Sequence, residues 1–331
     1  MIKRSASWAV KLALTGGALW YLQAKVDLPT AWKMGKAVTP AMFLAAFLLQ
    51  VVQLMICAGR WRLVLQAIGA WLPFGKACEL FCIGNFFGQV LPGAVGGDAV
   101  RIWKARQAGL SLAASINSVM LERVATVFGL VVLVAAAQPL LADRLRDTSG
   151  LWVFPTLSLG GLVGILVLAG LDRLPMSLLH SRLVSGFARL AGDTRRLFLR
   201  PGSALPTLTM VILGHVNLAL VVWALARGLN APVSVVDCLV LVPPVILVAT
   251  LPISIAGWGA REVAMVTVFG FIGVPAAQAA AMSVLFGLVT ILIALPGGIF
   301  WLFSRDRQPT AAEPVGGAAL DERPVEEEIA G

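Results

Sequence analysis

Six stretches of this chain are apolar for about the length that carries a helix across a bilayer: Trp8–Ala24, Pro40–Ala58, Ala114–Gln138, Leu151–Gly170, Ala204–Ala226 and Ala279–Phe303. A span of the ~30 Å hydrocarbon core takes roughly 20 apolar residues. Inside lipid every backbone N–H and C=O must be satisfied within the segment or by a closed barrel, and apolar runs this long belong to helices rather than barrel strands. Two further hydrophobic segments, about Ala77–Gly97 and Val235–Gly257, are interrupted by Gly and Pro, and a short apolar stretch runs Val263–Gly273. The predicted fold class is all-α: a polytopic integral membrane bundle of about eight membrane segments, one or two of them re-entrant. Composition agrees, with 59% apolar and 13% charged residues, against about 45–50% and 25% in soluble domains. No polar block is long enough to hold a soluble catalytic domain.

Charge is unevenly spread. The chain carries +9 overall, but residues 308–331 hold six acids against Arg323 alone, which leaves +14 on residues 1–307. The tail, rich in Pro, Ala, Gly and Glu, reads as disordered; residues 1–307 read as one membrane domain. Basic juxtamembrane residues meet anionic headgroups, and no soluble basic module exists to bind nucleic acid. Lys3 and Arg4 precede the first apolar run, which places the N-terminus in the cytoplasm. Lys11 interrupts that run and no small-x-small site follows, so it reads as a retained span rather than a cleaved signal. Arg60, Arg62 and Lys76 precede the first interrupted segment, and Arg101, Lys104 and Arg106 follow it. All six fall on one side only if that segment enters and returns. Arg305 and Arg307 mark a cytoplasmic C-terminus, giving a multi-pass inner-membrane protein. The arginine-rich loop 171–203 alternates apolar residues with Arg173, Arg182, Arg189, Arg195, Arg196 and Arg200, as an amphipathic helix on the inner leaflet would; ordinary positive-inside decoration is the other reading.

The two interrupted segments resemble each other. LPGAVGGDAVR (Leu91–Arg101) and LPISIAGWGAR (Leu251–Arg261) align without a gap at an offset of 160 residues. Paired broken segments in two halves of a membrane protein point to a transport site. The expected halves are about 38–140 and 204–303; the pattern alone leaves parallel and inverted arrangements open. Pro92, Gly93, Gly96 and Gly97 in the first copy, and Pro252, Ser254, Gly257 and Gly259 in the second, break the helix, let the backbone turn tightly, or rebond what the break frees.

Ionisable residues at membrane depth normally face the protein interior. Asp98 and Arg101 sit where a helix restarts, a place suited to phosphate, although an Asp98 N-cap with a snorkelling Arg101 explains them equally. Glu122 and Arg123 lie inside a span and, as neighbours on a helix, point about 100° apart, so they cannot neutralise each other. Glu122 is expected to meet Arg101 or Arg261, and Arg123 a carboxylate or a lipid phosphate. Arg261 and Glu262 repeat the theme, and Asn85 is expected to bond across helices. His215 reads as a packing residue. Cys57, Cys78, Cys82 and Cys238 all lie in apolar runs without accompanying His or carboxylate clusters; they read as buried hydrophobes. No metal, no cofactor and no catalytic constellation is expected.

The runs GNFFGQVLPGAVGGDAVRIWKARQAGLSLAASINSVMLERV and LPISIAGWGAREVAMVTVFGFIGVPAAQA closely resemble the lysylphosphatidylglycerol synthase transmembrane-region family, also called the flippase-like domain family. The similarity covers roughly Lys11 to Phe303. It implies a role in lipid translocation, as in the membrane half of the multiple peptide resistance factor. The synthase activity of that protein belongs to a separate soluble domain, for which this chain has no room. The expected function is lipid translocation, with a phospholipid or lipid-linked substrate whose anionic headgroup enters a polar cavity lined by Arg101, Arg123 and Arg261. A non-catalytic partner of a separate lipid synthase or glycosyltransferase is the alternative; an intramembrane headgroup enzyme ranks behind both.

Overall fold

The computed structural model describes residues 28–90, 96–142, 152–170, 182–250 and 258–304. Among them it places eleven α-helices and no strand: α1 (Leu28–Lys36), α2 (Pro40–Ala67), α3 (Phe74–Val90), α4 (Gly96–Gln107), α5 (Leu112–Ala142), α6 (Val153–Gly170), α7 (Arg182–Leu199), α8 (Pro201–Gly228), α9 (Val235–Thr250), α10 (Ala260–Gly270) and α11 (Ala276–Phe303). Helices α2, α5, α8 and α11 are long and apolar enough to cross a membrane, so the chain is a membrane protein whose described elements are all helical. The first predicted span, Trp8–Ala24, and the tail 308–331 lie outside the described residues.

Helices α2 and α8 begin alike. In each, an extended residue (Thr39, Arg200) is followed by a proline in the first turn, where the missing N–H costs nothing and φ is already helical. They pack antiparallel. Thr39 N–H donates to the Gly228 carbonyl at 3.0 Å, and Asn217 Nδ2 donates to Leu49 O and Gln53 Oε1, both at 2.9 Å. Gly214 faces Gln53, Ile56 and Arg60. As numbers rise along one helix they fall along the other.

This pair defines two ends of the bundle. At the first end, Gln278 Nε2 donates to Leu229 O at 3.0 Å, tying the start of α11 to the finish of α8. Gln50 Nε2 donates to Thr290 Oγ1 at 3.2 Å. Thr290 lies about 18 Å beyond Gln278 and Gln50 about 17 Å beyond Thr39 at the helical rise, so α11 runs alongside α2 in the same direction. At the second end, Arg62 Nε donates to Leu72 O, just before α3, at 3.0 Å. Lys104 Nζ, in the last turn of α4, donates to Ser304 Oγ beyond α11 at 2.8 Å. The α3–α4 unit therefore starts and finishes at the second end. The α9–α10 unit follows α8 and leads into α11, so it starts and finishes at the first end.

The broken units wedge between long helices: α3 packs on α11, and α9 packs on α5. Close approach needs glycine. A methyl on Gly97 would strike the backbone of Gly84 and Gly88, and one on Gly297 would strike the backbone of Cys82, the small-residue contact through which helices associate in lipid. A core around Trp61, Leu65, Leu80, Ile83 and Val119 sits at the second end. A larger one joins α8, α9, α10 and α11 through Leu225, Leu241, Phe269 and Met282.

Two elements differ from the sequence-based expectation. Helix α2 does not stop at Ala58 but runs to Ala67, because the charges that end the apolar run are paired inside the protein. Helix α7 is amphipathic, as residues 171–203 predict, yet part of its apolar stripe does not face lipid. Leu190 and Leu197 are buried against Val64 of α2 and Leu121 of α5, and Asp193 accepts a hydrogen bond from Asn117 Nδ2 at 2.9 Å.

Candidate functional site

Near the second end, α2, α4 and α5 bring five charged side chains together. Arg60 sits on the face of α2 that also buries Cys57, Trp61 and Val64. Asp98 and Arg101 lie one turn apart on α4 and share a face; Arg101 Nη2 is 3.4 Å from Asp98 Oδ1. From α5, adjacent residues diverge as the helix requires. Glu122 turns inward and accepts from Arg60 Nε at 3.1 Å, from Arg60 Nη2, and from Arg101 Nη2 at 3.0 Å. Arg123 turns to Asp98 and binds it bidentately, Nε to Oδ2 at 2.8 Å and Nη2 to Oδ1 at 3.1 Å.

Burial separates these groups. Arg60, Arg101 and Glu122 are almost fully buried, whereas the Arg123 side chain is 50% exposed. The Arg101 guanidinium is stacked between aromatic rings, 5.0 Å from the centroid of Trp61 and 4.8 Å from that of Phe81. Trp61 is held in turn by its Nε1 donating to Ser118 Oγ at 3.1 Å. One donor of this buried guanidinium, Arg101 Nε, has no hydrogen-bond partner among the described residues. The formal sum is three guanidiniums against two carboxylates, a surplus of one positive charge.

A second cluster lies near the first end. Arg261 Nη2 is 2.7 Å from Glu262 Oε1, and Arg261 Nε donates to Ser283 Oγ at 3.1 Å. Ser283 donates to Glu262 Oε1 at 2.9 Å. Arg261 is again held by rings, 4.8 Å from Trp258 and 5.4 Å from Phe286. Glu262 Oε2 also accepts from the Gly259 N–H at 2.5 Å, which caps α10 as an N3 glutamate does. Gly259 has φ of +84°, a conformation glycine adopts without strain. This cluster is formally neutral, and its arginine and glutamate bond to each other and to Ser283.

The clusters are far apart. Arg60 lies about 31 Å from the first end along α2, and Ser283 about 8 Å beyond Gln278 along α11, at the helical rise. The structure therefore gathers Asp98, Arg101, Glu122 and Arg123 at one place and leaves Arg261 and Glu262 at the other end. Glu122 meets Arg101, not Arg261. Asn85 is half-buried and has no hydrogen-bond partner among the described residues. Gly96 and Gly97 open α4, and Gly97 is buried against α3. Pro92, Gly93, Pro252, Ser254 and Gly257 fall outside the described residues. No cluster of three or more His, Cys, Asp or Glu suited to a metal occurs among the described residues.

Sequence reasoning missed Arg60, Trp61 and Phe81 at the first-described cluster and Ser283 and Phe286 at the other. The signal for Arg60 was its place beside the buried Cys57, Trp61, Val64 spacing, which continues the buried face of α2. The signal for Ser283 was the repeat offset itself, which carries Arg123 onto it.

The family model described as lysylphosphatidylglycerol synthase TM region matches residues 8–298. No curated protein matches the chain.

Proposed function

From the premise that this chain belongs to the lysylphosphatidylglycerol synthase TM-region family, we propose that it moves an anionic lipid between leaflets, taking the headgroup at Arg123, Asp98 and Arg101. A membrane role tied to lipid follows from the family; translocation and the residues that perform it are our reading.

The observation that carries it is the uncompensated charge. Ionisable groups inside membrane proteins are costly and mark pathways for polar cargo. A purely structural network would close on itself, as Arg261, Glu262 and Ser283 do. Here one positive charge is left over, one guanidinium is half-exposed, and a buried donor stands without a partner. One phosphodiester would balance the charge. Its oxygens would accept from Arg123 and Arg101 in place of Asp98, with charge-assisted bonds stronger than neutral ones. Glu122 and Arg60 would hold Arg101 in place between lipids. The cluster offers cations and paired carboxylates rather than a nucleophile with a base, which favours a carrier over an enzyme.

The helix directions support an inverted repeat. Helices α2–α5 correspond to α8–α11, with α2 antiparallel to α8, and the two broken units enter from opposite ends. Set in a bilayer, both units are re-entrant, and the protein presents equivalent wedges to the two leaflets, the architecture on which alternating access operates. The second end, rich in Lys and Arg, is assigned to the cytoplasm and the bilayer to the inner membrane.

The test is leaflet exchange in vesicles. Purified protein is reconstituted with fluorescent phosphatidylglycerol, and the fraction reached by an impermeant reductant is followed over time. Arg123→Ala and Arg101→Ala are expected to slow exchange at least tenfold while the protein stays monodisperse. Exchange at the parental rate in both variants would refute the assignment.

A further inference from the structure

At the first end, away from the charged cluster, α1 and α11 enclose a cleft of about 370 Å3, within the range of ligand pockets. We infer that this cleft is a separate lipid-binding site, which holds an acyl chain of a phospholipid in the leaflet at the first end, with the lipid phosphate against Lys36.

The cleft is graded from apolar to charged in the way such a molecule needs. Its floor is Ala281 and Leu285 of α11, both buried. These side chains offer water no hydrogen bond, and apolar cavities of this kind do not hold ordered water. Its sides are Val284 and Leu288, and its mouth is Trp32 and Lys36 of α1. Leu288 is 40% and Trp32 59% exposed, so among the described residues the cleft opens sideways. Ala281 and Leu288 lie about 8 and 18 Å inside the start of α11 at the helical rise, a depth of acyl chains rather than headgroups. Lys36 lies at the edge, three residues before Thr39, whose N–H donates to Gly228 O at the start of α2.

The mouth is cationic. Lys33 and Lys36 are exposed and α1 contains no acid. Lys36 Nζ stands 5.1 Å from the Trp32 ring centroid, so a phosphate above the indole would meet the ammonium directly. Tryptophan and lysine at an interface are the usual anchors of a membrane protein; here they roof a cleft already shaped by a spanning helix. The site makes no use of Arg123 or Arg101, and it stands whether or not the chain translocates lipid.

Photocrosslinking of the full-length protein tests this. p-Benzoylphenylalanine in place of Leu288 is activated in nanodiscs of phosphatidylglycerol and phosphatidylcholine, and the α11 peptide is weighed. The expected product carries the mass of one phospholipid. Its yield should fall about fivefold in Lys36→Glu, as the loss of a juxtamembrane lysine's attraction implies, and stay constant in Arg123→Ala. A crosslink to a peptide from residues 1–27, a covalent dimer, or no adduct would overturn the proposal, as would a yield indifferent to Lys36→Glu.

Discussion

Glu122→Gln puts the buried network to a quantitative test. The carboxylate accepts three hydrogen bonds from Arg60 and Arg101, and all three side chains are 5% exposed or less. Glutamine keeps the shape and one acceptor oxygen but removes the charge. The formal charge of the cluster then rises from +1 to +2, and the change falls on the buried Arg60 and Arg101. Removing one partner of a buried ion pair costs about 3–5 kcal/mol, because the other charge stays buried and uncompensated. Arg60→Met in the same background returns the formal charge to +1. If the cost is electrostatic, the double variant should therefore be less destabilised than the sum of the two single ones, with a coupling of about 2 kcal/mol, inside the range for residues of one network. The assay is equilibrium unfolding in mixed micelles titrated with a denaturing detergent. A loss below about 1 kcal/mol for Glu122→Gln alone, or singles that add to within about 0.5 kcal/mol, would refute the reasoning.

Three further outcomes follow from the packing. Gly97→Ala forces a methyl into the backbone of Gly84 and Gly88 and should cost about 1–3 kcal/mol by overpacking in the same titration, whereas Gly160→Ala, which meets nothing within 4 Å, should be neutral or stabilising. Asn217→Ala removes two hydrogen bonds between α8 and α2 and should cost about 0.6–1.7 kcal/mol, as interhelical polar contacts in membranes do. In a cysteine-free background, single cysteines at Asn230 and Pro275 should react with an impermeant maleimide from one face of a sealed vesicle, and cysteines at Gly69 and Ser304 from the other. Labelling of all four from the same face would overturn the antiparallel assignment.

The long helices were legible because hydropathy over about 20 residues is a strong signal. The ends of those helices were not. Hydropathy drops at Arg60 and Arg62, yet the helix continues, because Glu122 and the Leu72 carbonyl satisfy those guanidiniums within the protein. No count along one segment can see a partner supplied by another. The same limit applied to the ion pairs. The divergence of Glu122 and Arg123 followed from helix geometry alone, and so did the need for separate partners. That Asp98 would take Arg123 while Arg60 joined Arg101 on Glu122 depended on how α2, α4 and α5 meet in space. The repeat offset was visible; its inversion was not, because Leu91–Arg101 and Leu251–Arg261 read the same whichever way the halves face. The antiparallel ladder from Thr39–Gly228 to Gly214–Arg60 supports the inverted reading.

The two charged clusters also differ in standing. They share a design: an arginine after a broken segment, clamped by a tryptophan and a phenylalanine, and bonded to a glutamate. Had both been anchors for the fold, both should close their hydrogen bonds and charges, since an unpaired buried charge is the costliest defect a core can carry. The cluster at Arg261 does close. Ser283 and the α10 cap consume the acceptors of Glu262, and no surplus charge remains. The cluster at Arg101 does not close; its extra guanidinium is turned toward the exterior instead of being dispensed with. Half-exposed Arg123 and the unbonded Arg101 Nε leave room in this cluster for a further acceptor. Inside a bilayer the abundant partner with one negative charge and several acceptor oxygens is a phosphodiester, and under the function proposed above it would sit beside Arg123.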